Sequence, residues 1–272
     1  IKTVTIIAFL LFVMGCSRQP MNINSYHDEP IYFSIENQGV YKYSGEIMKI
    51  SSEQVNAIHS SHASDELFLS TPSSLNLLNS PGEILFRYEN QQNVTAATLS
   101  SNSDLFYFSD FEGELYIYNR KLNQKKKVNL TEKIYPLPRQ MVVNEHDNRI
   151  YYHDEFYIYE INLDTLEHRR LTKKIMPIAS IAYNPNLGEV YFSTSSNGKI
   201  FGINLLDDYY YELHEPISVN GTLIAMNVAQ NKLLFSKGNG KDTFLQTLDL
   251  NTSHVESIKT LINTKRIVNL SY

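Results

Sequence analysis

From Pro30 to Tyr272 the chain alternates short apolar runs with polar stretches rich in Asn, Asp, Ser and Gly. The runs are aromatic and β-branched and too short for helices, so they predict strands. The stretch from Arg149 to Thr172 shows the unit most clearly. Arg149–His153 and Phe156–Asn162 predict two strands around an Asp154-Glu155 turn, and Asp164-Thr165 turns the chain into a third at His168–Thr172.

The same unit recurs when each second strand is aligned on its aromatic pair. The six quartets begin at Tyr32, Phe68, Tyr107, Tyr151, Tyr191 and Leu234, at spacings of 36, 39, 44, 40 and 43 residues. That is the size of a four-stranded propeller blade. Each quartet is followed by a third strand (Val40–Tyr43, Leu75–Leu78, Glu114–Tyr118, Phe156–Ile161, Lys199–Asn204, Phe244–Asp249) and then a more polar fourth, as in Lys126–Leu130 and His168–Leu171. Before the second to sixth quartets lie further apolar runs, such as Gln140–Val143, Ser180–Tyr183 and Leu223–Asn227, which would be the innermost strands. The first quartet has none, whereas Arg266–Tyr272 is a spare apolar strand at the other end. Pairing it with Tyr32–Ser34 would complete the first blade and leave no open hydrophobic edge. The expectation is an all-β, six-bladed β-propeller with four strands per blade, closed by the C-terminal strand and occupying residues 30–272.

Tyr107–Asp110 (YFSD) and Tyr151–Asp154 (YYHD), each followed by a third strand of the kind seen in Tyr157–Leu163, resemble the YWTD signature of the low-density-lipoprotein-receptor class of six-bladed propellers. Trp is replaced throughout, and the Asp is present in two quartets of six. The resemblance implies the blade count and motif residues that tie neighbouring blades together. It implies no receptor ligand.

Ahead of the repeats, Lys2 and the apolar run Val4–Met14 have the form of an export signal, and eleven residues are too few to cross a hydrocarbon core that needs about 20. Val13-Met14-Gly15-Cys16 resembles the lipobox of bacterial lipoproteins, and Cys16 is the chain's one cysteine. That resemblance implies a signal peptide over residues 1–15, cleavage before Cys16 and a covalent lipid on Cys16. A membrane-anchor helix or a buried free thiol are the other readings. Residues 16–29, polar and with Pro20, would form a tether spanning roughly 45 Å when extended. Ser17 after the Cys implies, by analogy with enteric bacteria, the outer membrane.

Composition narrows the function. A net charge of −5 argues against a general nucleic-acid binder. No GxSxG, HExxH, P-loop or CxxC pattern occurs. Three connections share a recurring Pro: Lys133–Leu137, Lys174–Ile178 and His214–Ile217. They predict rigid turns or an apolar rim, with Tyr135, Leu137, Ile175 and Met176 as anchors for a protein partner. Arg169 and Arg170, with Lys125–Lys127 and Lys173-Lys174, fall on outer strands, either as a basic strip or as protection against edge pairing. Glu36, Asp110, Glu112, Asp154 and Glu155 gather on the same face; Asp110 and Asp154 are weak cation candidates, with turn capping as the alternative. His59 and His62 point to opposite faces of a strand and do not form a zinc pair. His153, which replaces the Ser of its quartet, reads as a hydrogen-bonded structural residue or a catalytic base. No cofactor beyond the lipid is expected. The features suit a lipid-anchored envelope module that binds or scaffolds a protein. The alternative resembles gluconolactonase- or strictosidine-synthase-like propeller enzymes, for which Asn184, Asn227 and Asn144-Glu145 would be the channel residues.

Overall fold

The computed structural model describes residues 30–61, 66–79, 82–89, 93–205, 209–215, 221–261 and 266–271. Cys16, the signal and the tether lie outside the described residues, as do His62, Pro216, Ile217 and Tyr272.

Blade 1 holds β1 (Ile31–Ile35), β2 (Gly39–Ser44) and β3 (Glu46–Ser51). Blade 2 holds β4 (Ala57–Ser61), β5 (Glu66–Ser70), β6 (Ser74–Asn79) and β7 (Ile84–Glu89). Blade 3 holds β8 (Val94–Leu99), β9 (Leu105–Asp110), β10 (Leu115–Asn119) and β11 (Gln124–Val128). Blade 4 holds β12 (Gln140–Asn144), β13 (Arg149–His153), β14 (Ile158–Asn162) and β15 (Glu167–Arg170). Blade 5 holds β16 (Ile178–Asn184), β17 (Glu189–Thr194), β18 (Ile200–Asn204) and β19 (Tyr209–His214). Blade 6 holds β20 (Ile224–Asn227), β21 (Lys232–Gly238), β22 (Thr243–Asp249) and β23 (Val255–Leu261). The last strand, β24 (Ile267–Ser271), returns to blade 1 and pairs antiparallel with β1, Leu270 opposite Phe33. Six four-stranded antiparallel sheets result, and their inner strands β24, β4, β8, β12, β16 and β20 contact one another around a central channel. The fold is the expected six-bladed propeller, closed as expected.

Burial explains why the quartets are so apolar. A blade is covered on both faces by its neighbours, so its middle strands have no solvent face and lose the usual alternation: β9, β13 and β17 are buried after their first residue, whereas four residues of the outer strand β11 are exposed. The aromatic pair serves both neighbours. Tyr151 packs in the cluster between blades 4 and 5, and Tyr152 in the cluster between blades 3 and 4. Tyr32 and Phe33, Tyr107 and Phe108, and Tyr191 and Phe192 divide in the same sense, the first toward the following blade and the second toward the preceding one. Successive strand side chains point to opposite faces, so two adjacent aromatics fasten both seams.

The fourth quartet position closes the turn into the third strand. Asp110 Oδ1 accepts the N–H groups of Glu112 and Glu114 at 3.0 Å each, and Asp154 Oδ1 accepts those of Phe156 (2.6 Å) and Tyr157 (2.7 Å). That capping holds Phe156 and Tyr157 in the turn, so the third strand of blade 4 begins at Ile158 and not at Phe156. On the opposite face the hairpins repeat another device: a buried Asn caps the turn and a residue four positions on takes the left-handed conformation, as in Asn144 with Asn148 (φ 51°), Asn184 with Gly188 (φ 64°) and Asn227 with Asn231 (φ 52°).

Outer strands are tied by charge. The Glu160 carboxylate, on a side chain only 4% exposed, binds Arg149 Nη1 at 2.6 Å and Arg169 Nε at 2.9 Å. Glu160→Ala would leave a half-buried guanidinium without its counter-charge. Because both arginines reach solvent, the expected cost is about 2 kcal/mol, below the 3–5 of a fully buried pair. Urea denaturation, with Glu160→Gln as the milder comparison, measures it.

Candidate functional site: the two mouths of the channel

The connections from outer strand to next inner strand, and from second to third strand, emerge on one face. A polar cavity of about 420 Å³ opens there. Its wall is made by the starts of the inner strands, with Asn56, Arg139, Gln140, Ser180, Arg266 and Asn269, and by the turn after β13, with His153 and Glu155.

Most of these side chains hold one blade to the next. Asn56 Nδ2 donates to Val94 O (2.9 Å), and Asn269 Nδ2 to Val55 O (3.0 Å) and Ser34 Oγ (3.1 Å). Gln140 Oε1 accepts from Ser180 Oγ (3.0 Å) and from Ile181 N (2.9 Å). Inner strands are sheet edges, with backbone groups that no further strand satisfies. Polar side chains from the adjacent blade take that place.

Two groups at this mouth are uncommitted among the described residues. Arg266 lines the cavity with no side-chain partner in view, while Arg139 is paired with Glu155 at 2.9 Å. His153 is 1% exposed, and its Nδ1 bonds the carbonyl of Asp154, which accepts only. Nδ1 therefore carries the proton, and Nε2 is a bare acceptor with no partner. Burial pulls the His153 pKa down to about 4, so the ring is neutral at pH 7. A general base works best with a pKa near the operating pH, and here Glu155 faces Arg139. The arrangement accepts a hydrogen bond and, through Arg266, attracts negative charge.

The sequence-based candidates fall into different places. Tyr135 is 81% exposed and Met176 41%, in the connections that lead to Arg139 and Pro177 at the cavity wall. Leu137 is half-buried. Ile175 is buried in the cluster between blades 4 and 5 and offers no surface to a partner, because its N–H is pinned to Phe156 O and its side chain turned inward. Arg169 and Arg170 lie on the outer strand β15; Arg169 is engaged by Glu160, and Arg170, at the end of the strand, stacks at 4.8 Å over Tyr157 in the turn after β13. Asp110 and Asp154 are caps in the turns of different blades, and among the described residues no three His, Cys, Asp or Glu side chains converge. Asn144, Asn184 and Asn227, 0–1% exposed, cap hairpins, and Asn144 and Glu145 also line the cavity at the opposite mouth. One surface residue escaped the sequence reading: Phe111, 62% exposed in the turn after β9, on the same face as Tyr135 and Met176. Its signal was a large aromatic directly after the quartet of blade 3.

No protein-family model and no curated protein matches the chain. Solved structures do. A chain of the nidogen/laminin complex superposes with a TM-score of 0.67 at 11% identity, over 89% of this chain and 97% of that one. A protein assigned as TolB from Agrobacterium tumefaciens gives 0.64 at 16% identity, over 87% and 90%. TolB from Acinetobacter baumannii gives 0.69 at 11% identity, over 90% of this chain and 66% of that one. What they share with this chain is the propeller fold.

The opposite mouth holds a second, larger cavity of about 470 Å³, which reaches inward to Gln140 and Leu270, residues that also line the first. No motif announced it. Its walls come from six inner strands that lie far apart in the chain.

Proposed function

We propose that the protein is a lipid-anchored module of the bacterial cell envelope that docks a protein partner on the face of the polar mouth. The observation that carries this reading is the set of large apolar side chains Phe111, Tyr135 and Met176, exposed on connections of blades 3 to 5 on the face where the polar cavity opens. Aromatic and Met side chains around a polar opening are the composition of an interface core. Support comes from the kind of protein that shares the fold: one similar chain is part of a nidogen/laminin complex, and two are TolB proteins. Cys16 would carry the acyl chains, two or more of which anchor stably where one does not. Ser17 favours the outer membrane as its address.

A photo-cross-linking amino acid at Tyr135 should give a discrete adduct in intact cells, whereas one at Leu122, 63% exposed in the hairpin after β10 on the other face, should not. Phe111→Ser combined with Met176→Ser should reduce the Tyr135 adduct at least tenfold with an unchanged melting curve. Equal adducts from both positions, or none, would refute the docking face. Cys16→Ser should move the protein from the membrane to the soluble fraction, and membrane retention would refute the anchor independently.

A further inference from the structure

The larger cavity, on the face opposite the proposed docking surface, has two unlike walls. Blades 4 to 6 supply Val142, Val143, Tyr183, Met226 and Val228. Blades 1 to 3 supply His59, Ser60, Ser61 and, from the closing strand, Ser271. The first side is the richer in apolar surface, although Gln140, Asn144 and Tyr183 belong to it, and hydroxyl and imidazole groups gather on the second beside Ile58, Leu99 and Leu270.

The polar wall is ordered and uncharged. His59 Nε2 lies 3.1 Å from Ala97 O. A carbonyl accepts only, so Nε2 carries the proton and Nδ1 is a bare acceptor on a side chain that lines the cavity. Burial pulls the His59 pKa down to about 4, which keeps the ring neutral. Ser271 Oγ accepts the Ser60 N–H at 2.9 Å and sits 3.1 Å from Ser60 Oγ, which fixes the pair of hydroxyls. At the rim, the carboxylate of Glu145 bonds the N–H of Ser101, tying blade 4 to blade 3.

Charge decides among occupants. Among the described residues no Lys or Arg lines this cavity, so an anion there would be buried without a counter-charge; the one acid, Glu145, is at the rim and already bonded, so a cation would fare little better. A volume of about 470 Å³, mostly apolar with a few convergent polar groups, is the form of a small-molecule pocket.

We infer that this chamber binds a small uncharged ring compound, which lays its apolar face on the Val142–Met226 wall and turns hydroxyl or amide groups toward His59, Ser60 and Ser271. The ring stacks along valine and methionine side chains. Its polar edge donates to His59 Nδ1.

The probe is 2-naphthol, uncharged at pH 7 with one hydroxyl edge, titrated by calorimetry into the full-length protein in detergent. Saturable binding with one site per chain is expected, and naphthalene-2-sulfonate should bind at least tenfold more weakly. Val142→Phe, which fills the chamber, should abolish the saturable part in the same detergent, and Met226→Trp provides a second, independent filling. His59→Leu should weaken 2-naphthol about fivefold or more and leave naphthalene unaffected. Circular dichroism melting of each variant separates loss of the site from loss of the fold. Binding that is not saturable, that survives both filling substitutions in folded protein, or that is equal for the sulfonate overturns the proposal. Because the chamber lies on the other face, none of these outcomes depends on the docking reading.

Discussion

Removing residues 266–272 is expected to abolish the cooperative thermal transition of the whole domain. The deletion takes away β24, and with it the ladder that pairs Phe33 with Leu270 and Tyr32 with Ser271. It also removes Ile267 and Leu270 from the cluster joining blade 6 to blade 1, where they are packed with Ile31, Phe33, Leu234 and Leu245. Two fully buried aliphatic side chains account for about 3–6 kcal/mol. Further losses are the bonds from Asn269 to Val55 O and from Ser60 N to Ser271 Oγ, which join blade 1 to blade 2. Together these rival the total stability of an ordinary domain, about 5–15 kcal/mol. The opened ring would also present β1 as an unpaired, apolar edge, so aggregation should accompany unfolding. Circular dichroism melting and size-exclusion chromatography of the truncated chain measure both effects, and a melting curve like that of the full chain would disprove the closure argument. Leu270→Ala is the graded version, with an expected loss of about 2–5 kcal/mol.

Acid should weaken the fold well before its carboxylates titrate. In an unfolded chain a histidine takes up its proton near pH 6.5, whereas His153 and His59 in the folded protein do so only near pH 4. Between those values the unfolded chain binds more protons, so stability is complete above about pH 6.5 and declines as the pH falls toward 4. For His153 the loss by pH 4 is about 3 kcal/mol, at about 1.4 kcal/mol for each tenfold difference in proton affinity. His59 contributes less, because the channel leaves it partly in contact with solvent. His168 and His214, pulled below their usual value by partial burial, add to the decline with the same sign. Glu114, held low chiefly by its bond to Lys127, and Asp249, held low chiefly by backbone N–H groups, act in the opposite region: their stabilisation is lost only below the ordinary carboxylate range. Urea midpoints measured from pH 7.5 to 4 should therefore fall steadily, and His153→Ser, which installs the residue found at this position in the other five quartets, should flatten the slope by about half. An unchanged slope in that variant would show that His153 is not buried neutral.

His153 also shows how a residue can be conspicuous in sequence and ordinary in role. It stands out against five serines, yet its position is set by the same strand register as theirs, facing Gln140 across the β12–β13 ladder. Its ring forms part of the wall of the mouth cavity. Asp110 and Asp154 are a similar case, since a carboxylate at the end of a strand finds backbone N–H groups before it finds a metal. Asn184 and Asn227, channel candidates on sequence, cap hairpins in which an Asn and a left-handed residue stand four positions apart, a pattern that repeats along the chain.

The sequence by itself determined the blades, their number and the ring closure. Those features rest on local alternation and on a repeat near 40 residues, and both can be read along a single chain. Only the tertiary structure decided what the ring contains. His59 and Val142 belong to different blades and carry no shared motif, yet they line one chamber because closing the ring brings all six inner strands to one axis. Likewise Ile175 and Met176 are adjacent and equally apolar, but one is buried and the other exposed, since the chain bends at Met176 and packs only Ile175 into the seam between blades 4 and 5.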